Sequence, residues 1–214
     1  MAVPPDNSTS ASLDSLSNLT AGGVIVDIGT GDGRFVYQCA RENPARFYIG
    51  IDANAKLLEK VSMRVTRKPA KGGAPNILFI QAPVEDLPNE LDQVADEIHI
   101  HFPWGSLLRG VATGEPDVLH ALRRILVDGG LLEVVIGVDA DRDRTEVERL
   151  GLPNISLDYL TSVLKPRYAA SGLAITEKGK LAASEWPHLQ SSWARRLSGN
   201  DRRQVVYFIA EAQK

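Results

Sequence analysis

Val24-Ile-Val-Asp-Ile-Gly-Thr-Gly-Asp-Gly33 joins a short apolar run to three glycines at alternate positions. The β-branched run predicts a buried strand over Val24–Ile28, and a helix is expected to begin at Arg34. Glycines permit a tight turn and let a ligand approach the main chain, while the first turn of a helix presents free N–H groups. The pattern therefore predicts a cofactor that binds between a strand and the helix that follows it.

The acids of this loop indicate which cofactor binds. Dinucleotide folds use Gly-x-Gly-x-x-Gly and place a pyrophosphate at the helix start. Here the spacing is Gly29-x-Gly31-x-Gly33, and Asp27 and Asp32 lie beside the glycines. Two carboxylates would repel a pyrophosphate but suit a sulfonium or an ammonium group. The loop thus favours S-adenosylmethionine over NAD, and a Rossmann oxidoreductase is the least favoured enzyme class.

Two further acids follow the next predicted strands. Asp52 comes directly after Phe47–Ile51, where an acid accepts hydrogen bonds from ribose hydroxyls. Glu85 follows Ile77–Gln81, on the side where the adenine would lie. The alternative interpretation is that the glycines only form a tight turn and that Asp52 caps the next helix.

Outside this loop, strand-like and helix-like segments alternate along the chain. The alternation predicts an α/β fold of the class I methyltransferase (Rossmann-like) type, a seven-stranded, mainly parallel sheet with helices on both faces and a hairpin near the C-terminus. The remaining predicted strands are Glu97–Phe102, Leu131–Val138, Leu173–Thr176 and Val205–Ala210. The predicted helices are Arg34–Glu42, Ala55–Arg67, Pro116–Leu126 (stopped by Gly129-Gly130) and Leu157–Ala170 (kinked at Pro166).

The chain is expected to form one domain over residues 21–214, preceded by a flexible arm over residues 1–20 that is rich in Ser and Pro. The connections 139–156 and 178–204 are long enough to be functional or mobile. The single cysteine, Cys39, excludes a disulfide framework and fits a reducing cytoplasm. We expect no membrane contact, because no stretch approaches the roughly 20 apolar residues of a membrane span.

The charge of the chain is unevenly distributed. The net charge of −3 argues mildly against nucleic-acid binding. However, no acid occurs from Lys60 to Val84, a span that holds five basic residues: Lys60, Arg64, Arg67, Lys68 and Lys71. A second basic zone contains Arg195 and Arg196. These zones predict a basic face that docks on phosphates, although a charge run is more often only a solvated surface.

Two tryptophans are candidates for holding a base. Trp104 follows the fourth predicted strand and lies between Pro103 and Gly105, which suits a loop at the carboxyl end of the sheet. Trp193 lies in a polar segment, where a buried role is less natural. Core packing is the alternative for both, and Trp186 is ambiguous.

These residues resemble one family closely. Asp27-Ile-Gly-Thr-Gly-Asp-Gly33, Lys68-Pro-Ala-Lys-Gly-Gly73, Phe102-Pro-Trp-Gly-Ser-Leu-Leu-Arg-Gly110, Lys165-Pro-Arg-Tyr168 and Ser191-Ser-Trp-Ala-Arg-Arg-Leu197 are similar to segments of the aminoglycoside-resistance methyltransferases. That family modifies N1 of the decoding-site adenine of 16S rRNA. The likeness extends from about Val24 to the C-terminus.

The resemblance implies roles for individual residues. The implied cofactor contacts are Asp27, Gly29, Asp52, Glu85 and Ser106, with Gly31 and Gly33 completing the loop. Trp104 and Trp193 would sandwich a flipped adenine. Arg64, Arg67, Lys68 and Lys71 would dock on 16S rRNA within the 30S subunit, and Arg195 and Arg196 would hold phosphates beside the base. A monomer is expected.

The chemistry of this reaction fits the chain. Adenine N1 carries a lone pair in the ring plane and needs no general base, so positioning can supply most of the catalysis. N1 lies on the pairing edge, so the base must be flipped out and stacked on aromatic rings.

Other readings stay open. One is a methyltransferase of another RNA such as tRNA. Another is a weakly active, cofactor-binding module that associates with the ribosome. His99 and His101 alternate on a predicted strand and share one face; a metal site there is conceivable, but packed histidines are favoured and no metal is expected.

Overall fold

A computed structural model describes residues 22–139, 141–181 and 205–214. Its described part contains a seven-stranded sheet in the order β3-β2-β1-β4-β5-β7-β6. The strands are β1 Val24–Ile28, β2 Phe47–Asp52, β3 Ile77–Gln81, β4 Ala95–His101, β5 Leu126–Ile136, β6 Leu173–Leu181 and β7 Val205–Ala212. β1 to β5 are parallel, and β7 runs antiparallel between β5 and β6. This confirms the predicted fold class with its terminal hairpin.

Helices cover the sheet on both faces. They are α1 Arg34–Glu42, α2 Ala55–Val65, α3 Gly105–Thr113, α4 Pro116–Ile125, α5 Arg144–Leu150 and α6, which runs from Leu157–Tyr159 through a π-helical stretch, Leu160–Leu164, to Lys165–Ala170. α1 and α2 pack on one face, and the other described helices bury the larger core on the opposite face. Because both faces are covered, every residue of β1 is buried.

Most predicted strands are confirmed, but the helix boundaries needed correction. Gly129-Gly130 does not stop a helix: α4 ends at Ile125, and β5 begins at once with Leu126. Leu126 pairs with Ala95 while Leu131 pairs with Glu97, so β5 carries extra residues, and Gly129 turns there at φ 78°. α2 also ends earlier than predicted, at Val65.

Two helices were not predicted. α3 follows Trp104 directly, and α5 lies within the connection 139–156, for which no helix was predicted. The predicted disturbance at Pro166 takes the form of the π-helical stretch before it, since a proline cannot supply the N–H of a regular turn. No helix in the described ranges is long and apolar enough to cross a membrane. The predicted arm over residues 1–20 lies outside the described residues.

Candidate cofactor-binding site

The glycine loop lies at the carboxyl end of β1, next to the point where the strand order reverses between β1 and β4. Ligands of open α/β sheets bind at this position. Gly29 N and Thr30 N both donate to Ile51 O, at 2.8 and 3.0 Å, which ties the loop to the end of β2. Gly33 N donates to Thr30 O at 3.0 Å and closes the turn into α1. The three predicted glycines are therefore brought together in one rigid turn.

The three glycines serve different purposes. All have positive φ, at 78°, 59° and 66° for Gly29, Gly31 and Gly33. A Cβ on Gly31 would meet nothing within 4 Å, so this position faces open space. A Cβ on Gly33 would lie 2.7 Å from the ring of Phe79, so Gly33 is required for packing. Gly31 is thus the glycine beside which a ligand can approach the main chain.

Asp52 connects β2 to the loop. Gly31 N donates to its Oδ2, and Asn54 N donates to its Oδ1, both at 2.8 Å. Asn54 is the N-cap of α2, and its own side chain accepts from Lys56 N. Each carboxylate oxygen keeps a further lone pair, so Asp52 can orient the loop and still accept from a hydroxyl.

The two acids of the loop occupy contrasting surroundings. Asp27 is buried at 5% exposure, and burial raises the pKa of its carboxyl. The imidazoles of His101 and His99 partly offset that rise. Asp32 lies nearer the surface and forms an ion pair with Arg34 at 3.1 Å. Asp27 is therefore the loop carboxylate that lies in a low-dielectric environment, where a cation would be attracted most strongly.

The segment after β4 packs against the glycine loop. Phe102 adopts φ 51°, which is unusual for a large residue, and its N donates to Val135 O at 2.8 Å. This turn places Trp104 at the N-cap of α3, where it remains 43% exposed. In the first turn of α3, Leu107 Cδ2 lies 2.8 Å from the point where a Cβ on Gly29 would sit. The segment that carries the predicted base-holding tryptophan thus contacts the predicted cofactor loop.

Ser106 and Glu85 are exposed at the same end of the sheet. Ser106 lies in the first turn of α3, and Glu85 lies in a 3-10 turn, Val84–Asp86, that follows β3. Their positions fit the cofactor contacts that the resemblance implies.

Residues 67–73 form a hydrogen-bonded turn between α2 and β3, referred to below as the basic turn. Lys71 N and Gly73 N both donate to Lys68 O, at 2.7 and 3.1 Å. A Cβ on Gly73 would lie 1.6 Å from Arg67 O, so only glycine fits there. The four phosphate contacts predicted in this part of the chain, Arg64, Arg67, Lys68 and Lys71, are exposed.

Tyr37 on α1 holds this basic turn in place and was missed by sequence reasoning. Its hydroxyl donates to Gly72 O at 2.7 Å and accepts from Arg41 at 3.3 Å. The Arg64 guanidinium lies 4.3 Å from its ring centroid. An aromatic residue on a buried helix face normally indicates core packing, so no sequence signal distinguished this one.

The expectation that His99 and His101 pack together on the sheet is confirmed. Their rings stack with centroids 5.1 Å apart, on the face covered by α1. No group of three or more potential metal ligands converges among the described residues. The predictions for Trp193, Arg195 and Arg196, and the ambiguous Trp186, lie outside the described residues.

Comparison with known proteins agrees with this geometry. The family model described as "NpmA: 16S rRNA (adenine(1408)-N(1))-methyltransferase" matches residues 7–212. A 16S rRNA (adenine(1408)-N(1))-methyltransferase from Streptoalloteichus tenebrarius is 39% identical over 185 residues, covering 86% of this chain and 84% of the relative. One of the same name from Escherichia coli is 35% identical and covers 84% of this chain and 83% of the relative.

A solved structure extends the likeness to three dimensions. The crystal structure of a mutant 16S rRNA (adenine(1408)-N(1))-methyltransferase from Catenulisporales acidiphilia, with cosubstrate SAM, has a TM-score of 0.84 at 33% identity and covers 99% of this chain and 93% of that one. The aminoglycoside resistance methyltransferase NpmB1 has a TM-score of 0.80 at 41% identity, covering 94% and 92% of the two chains.

Proposed function

The chain belongs to the 16S rRNA (adenine(1408)-N(1))-methyltransferase family, and we propose that it transfers a methyl group from S-adenosylmethionine to N1 of the decoding-site adenine in the 30S subunit. The observation that carries this proposal is the packing of the Trp104 segment against the glycine loop through Leu107 and Gly29. It supports a role for the exposed Trp104 ring beside the proposed cofactor loop. Bacteria that contain the enzyme are expected to resist aminoglycosides that bind at this adenine.

The residues of the site fit S-adenosylmethionine. The open space beside Gly31 admits a ligand to the main chain, and Asp52 is placed to accept from ribose hydroxyls. Asp27 is the candidate partner of the cofactor ammonium group, since it is a buried carboxylate at the end of β1. Glu85 and Ser106 are the remaining proposed contacts.

The residues of the chain act mainly by positioning. S-adenosylmethionine, when bound, supplies an electrophilic methyl on a sulfonium. Trp104 presents a ring face on which the flipped adenine stacks, and Trp193 is proposed to cover the other face. The reaction needs no general base, because the N1 lone pair is available without deprotonation. An electron-rich indole also stabilises the positive charge that develops on the base.

The placement of the basic turn favours a large RNA substrate. The turn precedes β3 and so lies at the amino end of the strands, whereas Trp104 lies at the carboxyl end. The two are separated by at least the length of a strand, about 16 Å for five residues. A substrate that contacts both must offer an extended, rigid surface, as a folded subunit does. Arg195 and Arg196 are proposed to add phosphate contacts near the base.

The protein is proposed to act as a monomer in the cytoplasm, where 30S subunits are available and the Cys39 thiol stays reduced. Light scattering of the purified protein would measure its oligomeric state.

The decisive experiment supplies purified protein with 30S subunits or with tRNA, together with labelled cofactor. Label should enter 16S rRNA, and reverse transcription should stop at the decoding-site adenine. Trp104→Ala should slow transfer by roughly 5- to 150-fold, because stacking contributes about 1–3 kcal/mol. Trp104→Phe keeps a ring and should lose less.

Three outcomes would contradict the proposal. Label in tRNA alone would indicate a different RNA substrate, and tight cofactor binding without transfer to any RNA would indicate a binding module. A Trp104→Ala rate equal to that of the unchanged protein would exclude the stacking role.

A further inference from the structure

A row of ionisable groups crosses the middle of the sheet beneath the glycine loop. Asp27 on β1 is the register partner of His99 on β4, and His99 is the partner of Glu133 on β5. Side chains at paired positions point to the same face of a sheet. The row therefore begins at the proposed cofactor carboxylate and runs away from it through a histidine to a second carboxylate.

A second histidine, His101, lies two residues after His99 on β4. His101 Nε2 donates to Glu133 Oε1 at 2.5 Å, and His99 Nε2 lies 3.4 Å from Glu97 Oε2. Phe35 packs on both rings, with centroids 5.8 and 5.0 Å away. Phe35 is the second residue of α1, so the histidines support the turn that leaves the glycine loop.

The charges around His99 favour its imidazolium form. Hydrogen bonding to Glu97, with Glu133 and Asp27 nearby, raises the pKa of His99 despite its burial. The hydrogen bond from His101 lowers the pKa of Glu133. Glu97 Oε1 also accepts a hydrogen bond from Arg46 Nη1 at 2.9 Å. Asp52, at the end of β2, acts in the opposite direction and raises the pKa of Asp27. On α1, burial raises the pKa of the Cys39 thiol to about 11, so this neighbour stays neutral.

We propose that His99 and His101 are positioning residues that keep the buried Asp27 carboxylate ionised, and so able to bind the cofactor ammonium group. This inference rests on the proposed function, because it assigns a task to Asp27 in cofactor binding. The histidines do not touch the cofactor. They act through Asp27, which would otherwise favour its neutral form in this buried position.

The sign of the pH effect follows from this arrangement. Cofactor affinity should fall as the pH drops through the pKa of Asp27, since a neutral carboxyl binds an ammonium group weakly. Removing either neighbouring histidine removes an interaction that lowers that pKa, so the pKa of Asp27 rises further. In the histidine variants, the fall in cofactor affinity should therefore begin at a higher pH. Affinity at high pH, where Asp27 is ionised in every variant, should stay the same.

The test is calorimetric titration of the full chain with S-adenosylmethionine from about pH 5.5 to about pH 8.5, a range that includes the usual histidine pKa. In His101→Gln and in His99→Gln, the pH below which cofactor affinity falls should rise by about one unit. Below that pH, each variant should bind the cofactor on the order of tenfold more weakly than the unchanged protein. His99→Gln is the safer variant for folding, because the His99 side chain is 18% exposed and that of His101 only 3%. Thermal melts should accompany both.

Two further variants isolate the effect. His120→Gln changes an exposed histidine on α4 and should leave the profile unchanged. Asp27→Asn should bind the cofactor weakly, and its affinity should no longer fall as the pH drops. If the affinity of Asp27→Asn still falls as the pH drops, the titrating group is not Asp27 and the inference is overturned.

The remaining outcomes separate this inference from the proposed function. Equal loss of affinity at every pH in the histidine variants would mean that they are only structural, and no loss would mean that they are dispensable. Either result overturns the inference while leaving the proposed function in place. Absence of binding by the unchanged protein at all pH values would overturn both.

Discussion

At the scale of single residues, the glycine loop shows that identical residues carry different constraints. Gly29, Gly31 and Gly33 all turn through positive φ. Gly33 must be glycine because Phe79 and Val61 fill the space where a side chain would be. Gly31 has no such neighbour, so only its backbone angle and an approaching ligand restrict it. Stability and ligand binding can therefore be separated by one substitution at each position.

We predict that Gly33→Ala unfolds more easily than Gly31→Ala. Both pay about 1–2 kcal/mol for a left-handed backbone, and Gly33→Ala adds about 1–3 kcal/mol for overpacking against Phe79. Gly31→Ala should stay folded near 25 °C and lose affinity for S-adenosylmethionine. Denaturant unfolding and calorimetric titration measure the two effects. Equal stabilities, or unchanged affinity in Gly31→Ala, would contradict this assignment.

At the scale of elements, Tyr37 couples helix α1 to the turn that follows α2. Its hydroxyl binds the backbone of Gly72 while its ring supports Arg64. The turn is thereby held in one conformation before any RNA arrives. A preformed binding surface loses less conformational entropy on association than a disordered one. Tyr37 is expected to affect RNA affinity without touching RNA.

We predict that Tyr37→Phe weakens 30S binding about fivefold, since a hydrogen bond contributes about 1 kcal/mol. Affinity for S-adenosylmethionine should not change, because the turn lies at the other end of the sheet. Tyr159→Phe is the matched control: its hydroxyl also donates to a backbone carbonyl, Ala112 O, at 3.1 Å. Filter binding to 30S subunits provides the measurement. The same loss in both variants would point to general destabilisation instead.

At the scale of the whole molecule, the sheet separates two tasks. The proposed cofactor and base sites lie at the carboxyl ends of the strands, and the basic turn lies at their amino ends. The net charge of −3 conceals this arrangement, because the acids lie elsewhere on the chain. Electrostatic docking depends on the local cluster of cations and not on the sum of charges.

We predict that 30S binding weakens steeply with salt, and that the slope reports the basic turn. Each lost phosphate contact should reduce the slope of log K against log[salt] by roughly 0.7–0.9. Arg67→Ala, Lys68→Ala and Lys71→Ala should each show this reduction. Lys214→Ala, which removes an exposed cation at the end of the chain, is the control. Unchanged slopes in the three variants would remove the turn from the interface.

The sequence by itself determined the features that depend on neighbouring residues. Val24–Ile28 predicted a buried strand, the three glycines predicted the turn, and Asp52 fell at the end of the next strand. These predictions hold because backbone preferences and apolar periodicity act over a few residues. The α3 helix escaped prediction because Pro103-Trp104-Gly105 has the composition of a loop.

Only the tertiary structure decided which distant residues meet. The contact of Leu107 with Gly29, the support of the basic turn by Tyr37, and the row from Asp27 through His99 to Glu133 join segments that are far apart in the chain. No local pattern encodes such pairs, because strand order and side-chain packing select them only once the sheet has formed. The local sequence therefore identified the proposed cofactor loop. The fold placed the segment that carries Trp104, the proposed base-holding residue, against this loop and the basic turn at the opposite end of the sheet.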